Sequence, residues 1–129
     1  MSYNGWMLPD RERVRLLEAF PPTYPVVKAS HVTLEIEDET IPQDADIVVV
    51  GHIYHDGVEA LVVTVDGTTT RPDGRTFHIT LSLAEGRASK ESNDILAAYP
   101  YEPVAHFPIE TRAFLCRGGI YITTPLSSK

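Results

Sequence analysis

With 129 residues and 14.3 kDa, the chain has room for one domain built on one continuous core, and residues 1–129 are read as that domain. An apolar share of 43% and a charged share of 22% are those of a globular protein; no run reaches the roughly eighteen apolar residues of a membrane span, and no basic start leads into an apolar stretch, so a cytoplasmic protein away from membranes is expected. Eleven Lys and Arg against eighteen Asp and Glu leave −7, which repels long nucleic-acid backbones and restricts any phosphate ligand to a small or terminal one.

In chain order, Trp6, Met7 and Leu8 form a short apolar lead to Pro9-Asp10. Beyond it Val14, Leu16, Leu17 and Phe20 recur at helical spacing among charges, which predicts an amphipathic helix over 10–20. Pro21, Pro22 and Pro25 forbid its continuation, since each lacks an amide proton and restricts the residue before it. His31–Ile36 alternates polar and apolar, a strand with one face in the core, and 37–45 is an acidic loop. Residues 47–54 and 60–65 are β-branched runs around His55-Asp56-Gly57, the pattern of an antiparallel hairpin. Pro72-Asp73-Gly74 marks a tight turn inside a loop, and 77–83 is a further strand. A second helix is predicted over 89–98, with Ser89 as its N-cap and Ser92 at its third position. Residues 109–116 and 120–124 flank Arg117-Gly118-Gly119 as a second hairpin. Cys116 is the only cysteine, so neither an internal disulfide nor a cysteine zinc site can form.

One internal echo carries chemistry. His31-Val32-Thr33-Leu34-Glu35-Ile36 and His78-Ile79-Thr80-Leu81-Ser82-Leu83 both read histidine, β-branched, threonine, leucine, polar, aliphatic. On a regular strand His31, Thr33 and Glu35 share one face and Val32, Leu34 and Ile36 the other, and the second copy sorts identically. Each strand then buries its aliphatic face and presents an imidazole and a hydroxyl on the opposite one. Two such strands facing each other suit displacement at phosphorus. One imidazole takes a proton from water and the other gives one to the leaving oxygen, because histidine titrates near neutral pH. Threonine hydroxyls can donate to the non-bridging oxygens. This chemistry demands no metal and no cofactor.

The doubled H-x-T pattern resembles the two-histidine (2H) phosphoesterases. It is most similar to the cyclic phosphodiesterase domain of plant and fungal tRNA ligases and to related bacterial and phage RNA-repair domains. The likeness runs from about Ser30 to Leu96, through HVTL, ALVVTVDG, PDGRTFHITLSL and AEGRASKESNDIL. The resemblance implies a bilobal α+β fold, with antiparallel sheets around a pseudo-two-fold cleft and two flanking helices. It also implies metal-independent opening of a 2′,3′-cyclic phosphate on a nucleotide or RNA end, leaving a 2′-phosphate. By position, His31 and His78 would be the acid/base pair, with His78 as base, and Thr33 and Thr80 the phosphate-oxygen donors. A functional link to an RNA ligase or kinase follows from the same likeness. The two histidines are 47 positions apart, closer than the resemblance leads one to expect, so a helix should be missing from the first lobe.

Other residues are open to two readings. Arg71, Arg75, Arg87 and Lys90 form either a cationic rim for phosphate or solvated loop charges. Tyr3, Trp6 and Tyr54 offer stacking surfaces for a base, although Trp6 also suits a core anchor. Ser89, Ser92 and Asn93 serve as caps or as an anion-facing helix start. His52, His55 and His106 fall at turns or surfaces, and their spacing does not support a metal site. Two rivals to a cyclic phosphodiesterase stand: a module that binds a cyclic nucleotide without turnover, and a hydrolase of cyclic oligonucleotide signals. Binding alone needs no pair of titratable groups, which favours catalysis.

Overall fold

The computed structural model describes residues 1–123. Within them the order is β1 (Ser2–Met7), α1 (Asp10–Ala19), β2 (Val26–Val27), β3 (His31–Ile36), β4 (Ile47–His55), β5 (Val58–Val65), β6 (His78–Leu83), α2 (Glu91–Ala98), β7 (Glu102–Ile109), β8 (Arg112–Arg117) and β9 (Ile120–Thr123). The strands form an α+β fold of two antiparallel sheets, one in the order β3-β1-β8-β9 and the other β2-β6-β5-β4-β7. No helix of the described residues is long and apolar enough to cross a membrane.

Local chemistry explains most of these elements. The β4–β5 hairpin closes through Asp56 and Gly57, both at positive φ (50° and 82°), the twist that a two-residue turn between right-twisted strands requires. Gly118 and Gly119 do the same between β8 and β9. The expected second hairpin reaches Thr124, which lies outside the described residues. β3 leads into β4 through residues 37–46 without a helix, whereas α2 follows β6.

Three sequence expectations need correction. Ser2–Met7 is a strand, in the interior of its sheet between β3 and β8, although Asn4 and Gly5 are poor strand formers. Glu102–Ile109 is also a strand despite Pro103 and Pro108; it is the edge of its sheet, where a missing amide proton costs little. α2 begins at Glu91 with Lys90 as its N-cap, not at Ser89, and no side chain caps it. Instead a turn precedes it, and the Glu91 carboxylate reaches back to accept from the Ala88 amide at 2.6 Å.

A single core joins the sheets. Trp6 and Val32 from the first, Val49, Leu61, Val63, Ile79 and Leu81 from the second, and Leu16 from α1 are buried in one cluster. β3 and β6 are thereby held close together without pairing, at the seam between the sheets.

Candidate functional site

The two echoed hexamers are β3 and β6, and each carries the same backbone irregularity. Against β1, Gly5 pairs with Thr33 and Asn4 with Glu35, so Leu34 is left over as a β-bulge. Against β5, Ala60 pairs with Thr80 and Glu59 with Ser82, so Leu81 is left over. Both bulges fall on the leucine of H-x-T-L. A small residue faces each threonine, and at Gly5 the fit is absolute, because a Cβ there would lie 1.9 Å from the Val32 carbonyl oxygen. A polar side chain braces each bulge. Asn4 Oδ1 accepts from the Glu35 amide at 3.0 Å, and buried Glu59 accepts from the Ser82 hydroxyl. Burial pushes the Glu59 carboxyl up, but hydrogen bonds from Ser82, Thr23 and His52 outweigh it and hold the group below the usual carboxylate range.

The first bulge corrects the expected face of β3. Alternation resets after Leu34, so Ile36 joins His31 and Thr33 on the concave side while Glu35 turns away towards Asp38. The Glu35 carboxylate therefore stays off the concave side that His31 and Thr33 share.

At the seam lies a cavity of about 260 Å³. His31 and Thr33 from β3 line it together with His78 and Thr80 from β6, and so do Arg71, Arg75 and Lys90. The two stacking candidates are not there. Trp6 is 3% exposed, donates its Nε1 proton to the Gln43 carbonyl at 2.9 Å and packs edge-on against Phe77, so it is a core anchor. Tyr54 is exposed on β4 beside His52, off the cavity. Tyr3 of β1 does line the cavity, its ring centroid 5.4 Å from that of His31. Arg87 is also elsewhere, paired with Asp56 and Glu91.

Sequence reasoning missed Lys28, Ser30 and Ile36, which also line the cavity. Lys28 and Ser30 precede the first motif, but only the ladder of Lys28 and Ala29 amides onto the Leu81 and Thr80 carbonyls, both 2.9 Å, brings Lys28 to the second. Of the remaining histidines, His52 pairs with Glu59, His55 stacks on Tyr99 and His106 is exposed on β7. Among the described residues no three His, Cys, Asp or Glu side chains gather as metal ligands.

The two imidazoles are held differently. His78 Nδ1 lies 2.8 Å from the Thr76 carbonyl oxygen, which can only accept. That ring nitrogen therefore carries a proton, and neutral His78 presents a bare Nε2. His31 is flanked by hydroxyls, Ser30 Oγ at 2.8 Å from Nδ1 and Thr33 Oγ1 at 3.1 Å from Nε2. Because a hydroxyl donates or accepts as needed, His31 can carry a proton on either nitrogen or on both. Burial, including its packing against Tyr3 and Phe114, pushes the His31 pKa down to about 4, and nearby His78 adds to the shift. Burial also lowers that of His78, against the Thr76 hydrogen bond that raises it.

Thr80 Oγ1 sits 2.8 Å from Ser92 Oγ and 3.3 Å from the Ser89 carbonyl. With Ser92 donating, the Thr80 proton has only the longer contact to Ser89 and is free to turn to an incoming oxygen. Arg71 is 3% exposed and ion-paired to Asp73, yet its buried Nε has no partner. Such an orphan donor beside a cavity costs stability unless an acceptor arrives.

Comparison with protein-family models, curated proteins and solved structures finds no match to this chain.

Proposed function

We propose that this protein is a two-histidine phosphodiesterase that hydrolyses a 2′,3′-cyclic phosphate, on a nucleotide or an RNA end, to a phosphomonoester without a metal. In this reading the two sheets are the lobes of a 2H-like fold and the seam between them is its cleft. The observation that carries it is the convergence of His31, Thr33, His78 and Thr80 on one cavity, through two strands bulged at the same motif position.

The roles follow from the hydrogen bonds. His78, anchored through Nδ1–H, uses its Nε2 lone pair to take a proton from water as the water oxygen attacks phosphorus. The bond from phosphorus to the 3′ oxygen breaks, and protonated His31 supplies the proton that oxygen needs, leaving a 2′-phosphate. Burial disfavours imidazolium in the empty site, so the bound phosphate's own charge is what raises His31 into its acid form. Thr33, Thr80 and the Arg71 guanidinium meet the charge that builds on the non-bridging oxygens. After turnover His78 carries the proton and His31 has lost one; exchange with solvent resets both.

The test is to incubate the pure protein, with chelator, against 2′,3′-cyclic nucleotides, RNA ends bearing the same group and cyclic dinucleotides, resolving products by phosphorus NMR. A 2′-phosphomonoester from the 2′,3′-cyclic substrates is expected. Tight binding without product would make the cavity a sequestering site, and hydrolysis confined to cyclic dinucleotides would make it a remover of signals.

A further inference from the structure

The cavity holds more positive charge than one phosphodiester needs, and the charge falls into two groups. From β6, His78 and Thr80 line the cavity. At the His78 end lie Arg71 and Arg75, on the hairpin whose strands meet at Thr70 and Thr76. At the far end lie Lys28, whose amide is bonded to the Leu81 carbonyl, and Lys90, which follows Ser89 in the turn that touches Thr80. Thr80 stands between the two groups on β6, its hydroxyl 3.3 Å from the Ser89 carbonyl. Arg71 is buried and held by Asp73, whereas Arg75, Lys28 and Lys90 are exposed and form no ion pair among the described residues, so the far end carries only unpaired charges. Beside them the Asn93 side chain donates to the Lys90 carbonyl, while its buried Oδ1 has no partner.

We infer that the cavity is built for a substrate with two phosphates, the reactive cyclic one between His31, His78 and Arg71 and a second one held by Lys28 and Lys90. Asn93 lines the cavity beside Lys90, between the two groups. In a chain of net −7, two unpaired lysines on the wall of one cavity are a local reversal of the field, and ammonium groups recognise phosphate as point charges. The substrate class is thus a nucleoside 2′,3′-cyclic phosphate carrying another phosphate, either a 5′-monoester or the phosphodiester to a preceding nucleotide.

This inference rests on the phosphodiesterase reading, and the experiment separates the two. Adenosine 2′,3′-cyclic phosphate, its 5′-phosphorylated form and an ApA dinucleotide ending in the cyclic phosphate are compared as substrates of the wild type. They are compared also as ligands of the H31A/H78A protein by calorimetry. At least a tenfold gain in kcat/KM or affinity is expected from the second phosphate, and the stronger of the two probes identifies monoester or diester. In K28E and K90E, both changes at exposed positions, that ratio should fall towards one, more steeply at low salt. Equal values for all three ligands in the wild type, or a ratio unaffected by both charge reversals, would overturn the inference even if hydrolysis is observed. Discrimination in binding with no turnover of any substrate would uphold the second phosphate subsite and refute the phosphodiesterase.

Discussion

His31 and His78 are the same residue in the same motif, yet their neighbours assign them different work. A carbonyl partner fixes the His78 proton on Nδ1, while two hydroxyls leave His31 free to gain or lose one. None of this is legible from H-x-T, because the Thr76 carbonyl reaches His78 through the backbone and Ser30 is polar whatever it touches. The titration follows with a definite sign. Burial disfavours imidazolium, so in the free protein the His31 pKa lies near 4 and that of His78 below its ordinary value of about 6.5. The form with one protonated and one neutral ring is then most abundant on the acid side of pH 6.5, and the maximum of kcat/KM, which reports free enzyme, is expected there. A bound anion favours imidazolium and raises both rings, so the kcat profile should lie at higher pH than that of kcat/KM. Rate profiles measured between pH 4 and 9 check this; a kcat/KM maximum above pH 7, or kcat displaced to the acid side, would contradict it.

The repeat that the sequence shows as six matched letters is, in the fold, a matched pair of bulged strands. Periodicity placed His31, Thr33, His78 and Thr80 on one side correctly, because the first three residues of each copy alternate regularly. It misplaced Glu35 and Ile36, because a bulge is set by the partner strand, and β1 is hidden in SYNGWM, which has no alternating pattern. Strands whose side chains alternate against one core face, such as β4, were readable; β7, with its prolines at a sheet edge, was not. The dependence on β1 can be tested at Gly5. In G5A the new methyl meets the Val32 carbonyl, and overpacking of this kind costs about 1 to 3 kcal/mol. G5A should unfold at lower denaturant by that amount. Any folded fraction should also have a displaced Thr33 and weakened turnover. Stability and turnover both equal to wild type would mean that the close approach of β1 to β3 does not matter.

Across the whole molecule, net charge and site charge point in opposite directions. The composition announced −7 and a preference for small ligands, but it could not show that Lys28 joins Arg71, Arg75 and Lys90 on one cavity, since β2 and the strand ladder bring it there. A net charge of −7 opposes a long polyanion, and on the proposed function the cavity would take one or two phosphates, so a short cyclic-phosphate oligonucleotide should be processed at least as efficiently as a long RNA with the same end. The log–log salt slope should be no steeper than about −2. Efficiency that climbs with RNA length and collapses in modest salt would reveal an extended binding surface. The most direct measurement compares hydrolysis of a 2′,3′-cyclic nucleotide, with chelator present, by the wild type, H31A, H78A and the double variant, each first shown to be folded. Turnover by the wild type, a loss of about 10² to 10⁴ in each single variant, and a double variant little worse than the poorer single is the result expected of an acid/base pair acting as one unit. A wild type that releases no phosphomonoester, or a single variant that turns over at the wild-type rate, would contradict it.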